Sequence, residues 1–156
     1  FQSITTDSEG YPIISYQLNG VPSQLAYVTK SSNNDGTWST EAGYPRQLST
    51  FSSNQWSTEV ISLGSKRLCV YYSTYNPLAG YEFYTQIFDG SSWGAEEGPI
   101  TPGDHRQHSI TRGPNSSVLL SYTRVNDMRF RKRPWGGPWG AEIKVLDESS
   151  GDYSPW

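Results

Sequence analysis

One pattern constrains this chain more than any other: a tight turn followed by Trp occurs three times. The copies are Asn34-Asp35-Gly36-Thr37-Trp38, Asp89-Gly90-Ser91-Ser92-Trp93 and Gly136-Gly137-Pro138-Trp139. Each Trp carries a similar tail: Ser39-Thr40-Glu41, Gly94-Ala95-Glu96 and Gly140-Ala141-Glu142. Three turn-Trp units with three small-small-Glu tails mark an internal repeat, and a repeat dictates the architecture before any single residue does.

Upstream of each Trp lies an apolar run ending in Tyr: Ile13-Ile14-Ser15-Tyr16, Cys69-Val70-Tyr71-Tyr72 and Leu119-Leu120-Ser121-Tyr122. A second strand centred on an aromatic follows: Ala26-Tyr27-Val28, Phe83-Tyr84-Thr85 and Arg129-Phe130-Arg131. An innermost strand precedes the Tyr strand, as Gln2-Ser3-Ile4-Thr5-Thr6 in the first repeat and His108-Ser109-Ile110-Thr111-Arg112 in the third. The second repeat offers two candidates. Gln47-Leu48-Ser49-Thr50 matches by sequence and Glu59-Val60-Ile61-Ser62 by spacing, with an extra turn near Trp56 to be absorbed.

Composition agrees with strands rather than helices. Six Trp, eleven Tyr and five Phe stand beside 15 Gly and 10 Pro, and no sustained i, i+3, i+4, i+7 apolar spacing appears. Aromatic residues suit pleated surfaces, while Gly, Pro, Asn and Ser suit turns. The net charge of −3 argues against a general nucleic-acid binder. No apolar run is long enough for a membrane-spanning helix, so no membrane insertion is expected. Cys69, alone in the sequence, has no intrachain disulfide partner and reads as a buried thiol. The start at Phe1 suggests a processed product or part of something longer.

Four-stranded units recurring every roughly 50 residues match β-propeller blades. The expected fold is therefore all-β: one three-blade unit over residues 1–156, with approximate blades 1–43, 44–103 and 104–156. Three blades cannot close a ring, so self-association with a second copy into six blades is expected.

The stretch from Ser3 to Tyr16 and the Asp-Gly-x-x-Trp turns resemble sialidase-like propeller repeats of exported microbial proteins. Asp89-Gly90-Ser91-Ser92-Trp93 looks like a degenerate Asp box; Asp35-Gly36-Thr37-Trp38 is one residue short, and Gly136 or Trp135 replaces Asp in the third copy. The resemblance implies a structural turn: Asp35 and Asp89 cap backbone N–H groups, Gly36, Gly90 and Gly136 shape the turn, and Trp38, Trp93 and Trp139 pack between sheets. It also implies what a sialidase would need: three arginines, a Tyr–Glu pair and an acid. The Arg-Ile-Pro signature of that family is absent, and no catalytic residue is assigned.

Two polar features remain. Arg46-Gln47 and Arg106-Gln107 precede what read as innermost strands, as Trp156 and Phe1 do across the repeat boundary, so these six residues are the expected ligand-binding rim. Aromatic faces stack on sugar C–H groups while Arg and Gln hydrogen-bond hydroxyls. Arg129, Arg131 and Arg133 share one strand face, expected either as a solvated outer face or as an anion patch. His105 and His108 beside Asp104 have metal-ligand chemistry but not the spacing for it on a strand. The acidic loop Asp147-Glu148-Ser149-Ser150-Gly151-Asp152 offers oxygens for calcium without a recognised calcium-loop spacing, so no metal or cofactor is expected.

These features point to a non-catalytic, lectin-like carbohydrate-recognition module, extracellular or on the cell surface. The alternative is a structural or assembly segment of a larger surface or appendage protein. A sialidase-like glycoside hydrolase is the third reading.

Overall fold

The computed structural model describes residues 2–19, 24–49, 55–101, 105–124 and 127–147. Phe1, Trp156 and most of the acidic loop lie outside them. Eleven strands occur there: β1 Ser3–Thr6, β2 Pro12–Asn19, β3 Gln24–Lys30, β4 Arg46–Gln47, β5 Gln55–Gly64, β6 Arg67–Asn76, β7 Gly80–Phe88, β8 His105–Arg112, β9 Val118–Arg124, β10 Asp127–Arg133 and β11 Ile143–Asp147. They form three antiparallel sheets, ordered β1-β2-β3-β4, β5-β6-β7 and β8-β9-β10-β11. The chain is all-β with three sequential sheets, and among the described residues these do not close into a ring.

The middle sheet departs from the expected four strands. Its outer edge is a bridge in which Thr85 and Glu97 exchange backbone hydrogen bonds of 3.0 and 2.9 Å, followed by Ile100 N–H donating to the Phe83 carbonyl at 2.7 Å. Pro99 supplies no N–H, and Gly98 sits at φ 155, so no ladder can grow between those contacts. Gly98 is required there, since a Cβ would lie 2.3 Å from the Tyr84 ring.

The ambiguity in the second repeat is resolved in favour of spacing. Glu59–Ser62 lies on β5, the first strand of the middle sheet, and β1 and β2 pack against β5. Gln47 instead ends β4, where Arg46 and Gln47 pair with Val28 and Tyr27, and Leu48 N–H donates to the Ala26 carbonyl. The first sheet therefore runs to Gln47, past residue 43.

The core lies in two layers, one in each joint between neighbouring sheets. Alternation along β6 divides it: Leu68, Val70 and Tyr72 face the first sheet, while Cys69 and Tyr71 face the third. The first joint gathers Ile13, Ala26, Val28, Leu48 and Val60 around them; the second gathers Phe83, Ile100, Ile110, Val118, Leu120 and Tyr122. β6 is buried on both faces, which explains its near-continuous apolar run.

The three Trp turns are held in different ways and pack differently. Asp35 accepts from the Thr37 N–H at 3.0 Å, and Asp89 accepts from the Ser91 and Ser92 N–H groups at 2.7 and 2.8 Å. Gly36, Gly90 and Gly136 all take positive φ. The third turn lacks the Asp and is closed by the Pro134 carbonyl accepting from Gly137 N–H. Trp93 and Trp139 pack against the first and second core layers, but Trp38 is 43% exposed.

Candidate functional site

The second joint opens at its outer edge into a groove of about 500 Å³. One wall is the broken edge of the middle sheet, Glu97 to Ile100; the other is β10 and the turn after it, through Arg131, Arg133, Gly136 and Trp139. Alternation on β10 aims Arg131 and Arg133 together at the neighbouring sheet. Trp139 is held against the core and donates its indole N–H to Thr85 Oγ1 at 3.3 Å. The Gly and Pro residues of the turn leave the mouth open.

Arg133 donates from Nε and Nη2 to the two carboxylate oxygens of Glu97, at 2.7 and 2.5 Å. This paired geometry fixes both groups in one plane. Arg131 donates from Nη1 to the Ile100 carbonyl, and its Nε is buried without a hydrogen-bond partner. Among the described residues no carboxylate lies within ion-pair distance of Arg131. The groove thus combines an aromatic wall, a fixed Arg–Glu pair and a second guanidinium whose charge is not neutralised by a salt bridge.

The expected solvated face or anion patch is corrected by these contacts. Arg129, Arg131 and Arg133 do share one face, but it is the face turned towards the middle sheet. Arg129 is paired with Asp127 at 2.5 Å and Glu142 at 2.7 Å, and Arg133 with Glu97, so of the three Arg131 is the one without an ion pair among the described residues. Glu142 also accepts from the Tyr122 hydroxyl and lies 3.7 Å from Arg124. This brings a Tyr–Glu pair beside arginines, yet Tyr122 is 2% exposed. Burial and the Glu142 carboxylate both push the Tyr122 phenol upward. Burial opposes ionisation of Glu142, but the Tyr122 hydroxyl and the Arg129 charge outweigh it and keep its carboxyl low.

A second polar cluster sits where the first strands of the middle and third sheets begin. His108 Nε2 is 2.9 Å from Ser57 Oγ and 3.3 Å from Glu59 Oε1, and Ser57 Oγ is 2.9 Å from Ser73 Oγ. Ser57 and Glu59 meet the same ring nitrogen. A nucleophile, base and orienting acid need both imidazole nitrogens, so this is not a hydrolytic triad. The ring rests on Tyr71 and Phe83, with centroids at 4.7 and 5.4 Å. Burial, and then Glu59, raise the Tyr71 phenol far above its usual range, and its hydroxyl has no hydrogen-bond partner.

The expected rim is dispersed. Arg46 and Gln47 lie on the outermost strand of the first sheet, where Arg46 covers the Trp93 ring at 5.6 Å and Gln47 donates to the Ser49 carbonyl at 2.8 Å. Arg106 and Gln107 lie on β8, a first strand, with Gln107 exposed at a bulge with φ 29. The apparent match of the two Arg-Gln pairs is therefore a match of letters on strands at opposite edges of their sheets. Phe1 and Trp156 are outside the described residues. So are Glu148 to Asp152 of the acidic loop, and among the described residues no group of three or more metal-ligating side chains gathers. Sequence reasoning missed Glu97 and Glu59. The doubled Glu of Ala95-Glu96-Glu97, where the other tails carry one, was the available signal for Glu97.

No protein-family model and no curated protein matches the chain. Among solved structures, the α-L-arabinanase of Penicillium chrysogenum, determined with arabinobiose, matches with a TM-score of 0.55 at 15% identity. The match covers 95% of this chain and 50% of that one, so the chain spans half the length of the enzyme. The likeness is one of fold, propeller-like, and gives no support to membership of the Asp-box family. It corrects the expectation that the chain is no enzyme, because the solved neighbour sharing this arrangement of sheets is itself an enzyme.

Proposed function

We propose that the chain is a carbohydrate-binding propeller segment whose ligand lies in the groove between the middle and third sheets. The observation that carries this reading is the convergence of Trp139 with the Glu97–Arg133 pair and Arg131 around one open space. A sugar presents an apolar C–H face and a ring of hydroxyls; Trp139 offers the surface for the first, and the Arg–Glu pair offers fixed donors and acceptors for the second. Arg131 adds a donor for a ring oxygen or a carboxylate. Two copies in a six-sheet ring would carry two such grooves.

A glycan array that includes arabino-oligosaccharides and uronic-acid oligomers, followed by calorimetry, tests the reading. Arg131→Gln and Glu97→Gln are each expected to weaken the best ligand at least about tenfold, the scale of one lost charged hydrogen bond. A flat array with folded protein overturns it.

A second reading, cleavage of an arabinan-type glycoside, rests on Glu59, whose carboxylate is 29% exposed where the first strands begin. Glycoside hydrolysis commonly uses two carboxylates across the scissile bond, and the second would come from the facing half of the ring. Release of reducing ends from arabinan, lost in Glu59→Gln, supports it. Equal rates with and without the protein sink it.

A further inference from the structure

The two outer sheets each leave one face open, and these faces are not equivalent. Aligning the repeats on Tyr16, Tyr72 and Tyr122 shows what each lacks. In the register of the sheets, Ile4 sits opposite Ile14, Val60 opposite Val70, and Ile110 opposite Leu120. Val60 is 2% exposed and Ile110 6%, because each is covered by the preceding sheet; Ile4 is 67% exposed. The Tyr16–Tyr27 stack, 5.8 Å between centroids and 19° between planes, reproduces the Tyr72–Tyr84 stack of 5.8 Å and 13°. Tyr72 is wholly buried against the first sheet, whereas Tyr16 is half-buried and belongs to neither core layer among the described residues. Trp38 is the third sign. Trp93 and Trp139 wedge into the joint on the same side of their sheets, and Trp38 enters neither of the two joints among the described residues.

The third sheet shows the reverse deficit. Ala26 pairs with Gln17, Phe83 with Ser73, and Met128 with Thr123, all one step beyond the Tyr pair. Ala26 is 0% exposed and Phe83 1%, each covered by the following sheet; Met128 is 45% exposed, Leu146 paired with it 52%, and Ile143, paired with Phe130, 56%. One end of the chain therefore presents a face built to be covered by a preceding sheet, and the other a face built to be covered by a following one.

We infer that these faces dock on each other between two copies: the open face of the third sheet covers the open face of the first sheet of a partner copy, and the reciprocal contact between the two remaining faces closes the ring. The two existing joints show that this pairing of faces works within the chain, and each copy carries both halves of the missing one. Two different faces that meet head to tail close into a ring when the rotation allows and otherwise run on as a filament. This assignment does not depend on the sugar groove, which lies in a joint inside one chain.

Light scattering after size exclusion tests it, at roughly micromolar to millimolar chain concentrations chosen to bracket ordinary dimer affinities. The expected mass is twice the 17.5 kDa of one chain. Ile4→Lys on one face and Met128→Lys on the other are each expected to raise the dimer dissociation constant at least about 30-fold, as for a central interface residue. Both side chains are exposed in the single chain, so circular dichroism should show an unchanged fold; Leu18→Lys and Ile143→Lys replace either variant that fails this check. Mixing the two variants restores a dimer, because one joint then pairs an intact first-sheet face with an intact third-sheet face. A monomer at every concentration, a filament, or a dimer indifferent to both substitutions overturns the inference. So does a pair of variants that does not rescue on mixing.

Discussion

Removing the carboxylate of Glu97 tests the groove and the second joint together. Arg133 is 9% exposed, and its two hydrogen bonds to Glu97, 2.7 and 2.5 Å, are its charged contacts across the joint. Glu97→Ala leaves that guanidinium without its partner carboxylate. Breaking a fully buried pair from one side costs about 3–5 kcal/mol. An exposed pair is worth about 0.2–1 kcal/mol. With a third of the Glu97 side chain in solvent, screening places this pair between the limits, at about 2 kcal/mol. For a chain of 156 residues that lowers Tm by about 4–8 °C. Urea titration of the wild type, Glu97→Ala, Arg133→Met and the double variant reads the loss and the coupling. The coupling is expected to take up most of the single-variant loss, since Arg133→Met removes the charge that Glu97→Ala strands. Losses that add without coupling, or a Glu97→Ala loss below about 0.5 kcal/mol, would refute the claim that the pair locks the groove walls together.

Other outcomes follow from the same contacts. Gly98→Ala should destabilise by about 1–3 kcal/mol in urea titration, because the new Cβ meets the Tyr84 ring at 2.3 Å and the φ of 155 disfavours a side chain. Its near-ultraviolet dichroism should change with the Tyr72–Tyr84 stack. Trp139→Phe should keep the fold but lower glycan affinity at least about fivefold by calorimetry, since the smaller ring loses stacking area and the bond to Thr85. Asp89 is held down to about 2 by the N–H groups of Ser92 and Ser91. A depressed carboxyl stabilises above its unfolded value and loses that contribution as pH falls towards the folded one. The Tm gap between wild type and Asp89→Asn should therefore be present at about pH 6 and shrink to nothing between about pH 4 and pH 2.

The repeat was legible because it is written in residues that act locally. The three Trp turns, the Tyr strands and the innermost strands all sit where spacing puts them, since a turn and a two-residue alternation are decided within a few residues. The second repeat misled where letters replaced spacing. Gln47-Leu48-Ser49 resembles a first strand, but Leu48 is needed as the last apolar plug of the first joint, and that demand comes from Ala26 on the neighbouring strand and Gln86 across the joint. Likewise, alternation put Arg129, Arg131 and Arg133 on one face, but no local rule says which side of a sheet meets its neighbour. Arg129 is received by Asp127 on its own strand and by Glu142 in the loop before β11, and Arg133 by Glu97 at the edge of the preceding sheet. Glu97 could not be paired with Arg133 from sequence alone, because the two are brought together only when one sheet stacks on another.

The two internal joints share a frame and differ in chemistry, and that difference separates a filled seam from an open groove. In the first joint Gln86 donates to the Leu48 carbonyl at 3.0 Å; in the second, Arg131, one sheet later at the same register position, donates to the Ile100 carbonyl. Thr85 pairs with Glu97 at the edge of the middle sheet, and Val28 pairs with Arg46 at the edge of the first. The acid of the second joint thus takes the place of a base in the first. Arg46 lies over the Trp93 ring at 5.6 Å and covers the surface that Trp139 leaves facing its groove. Phe88, packed on Trp93 at 5.3 Å, stands where Arg133 stands one sheet later. The first joint therefore fills its edge with its own side chains. The second replaces an amide by a guanidinium, a ring by a guanidinium and a base by an acid, and the same backbone then encloses a polar space open to a ligand. The repeat supplies the scaffold, and three substitutions at fixed positions distinguish a packed seam from a candidate binding site.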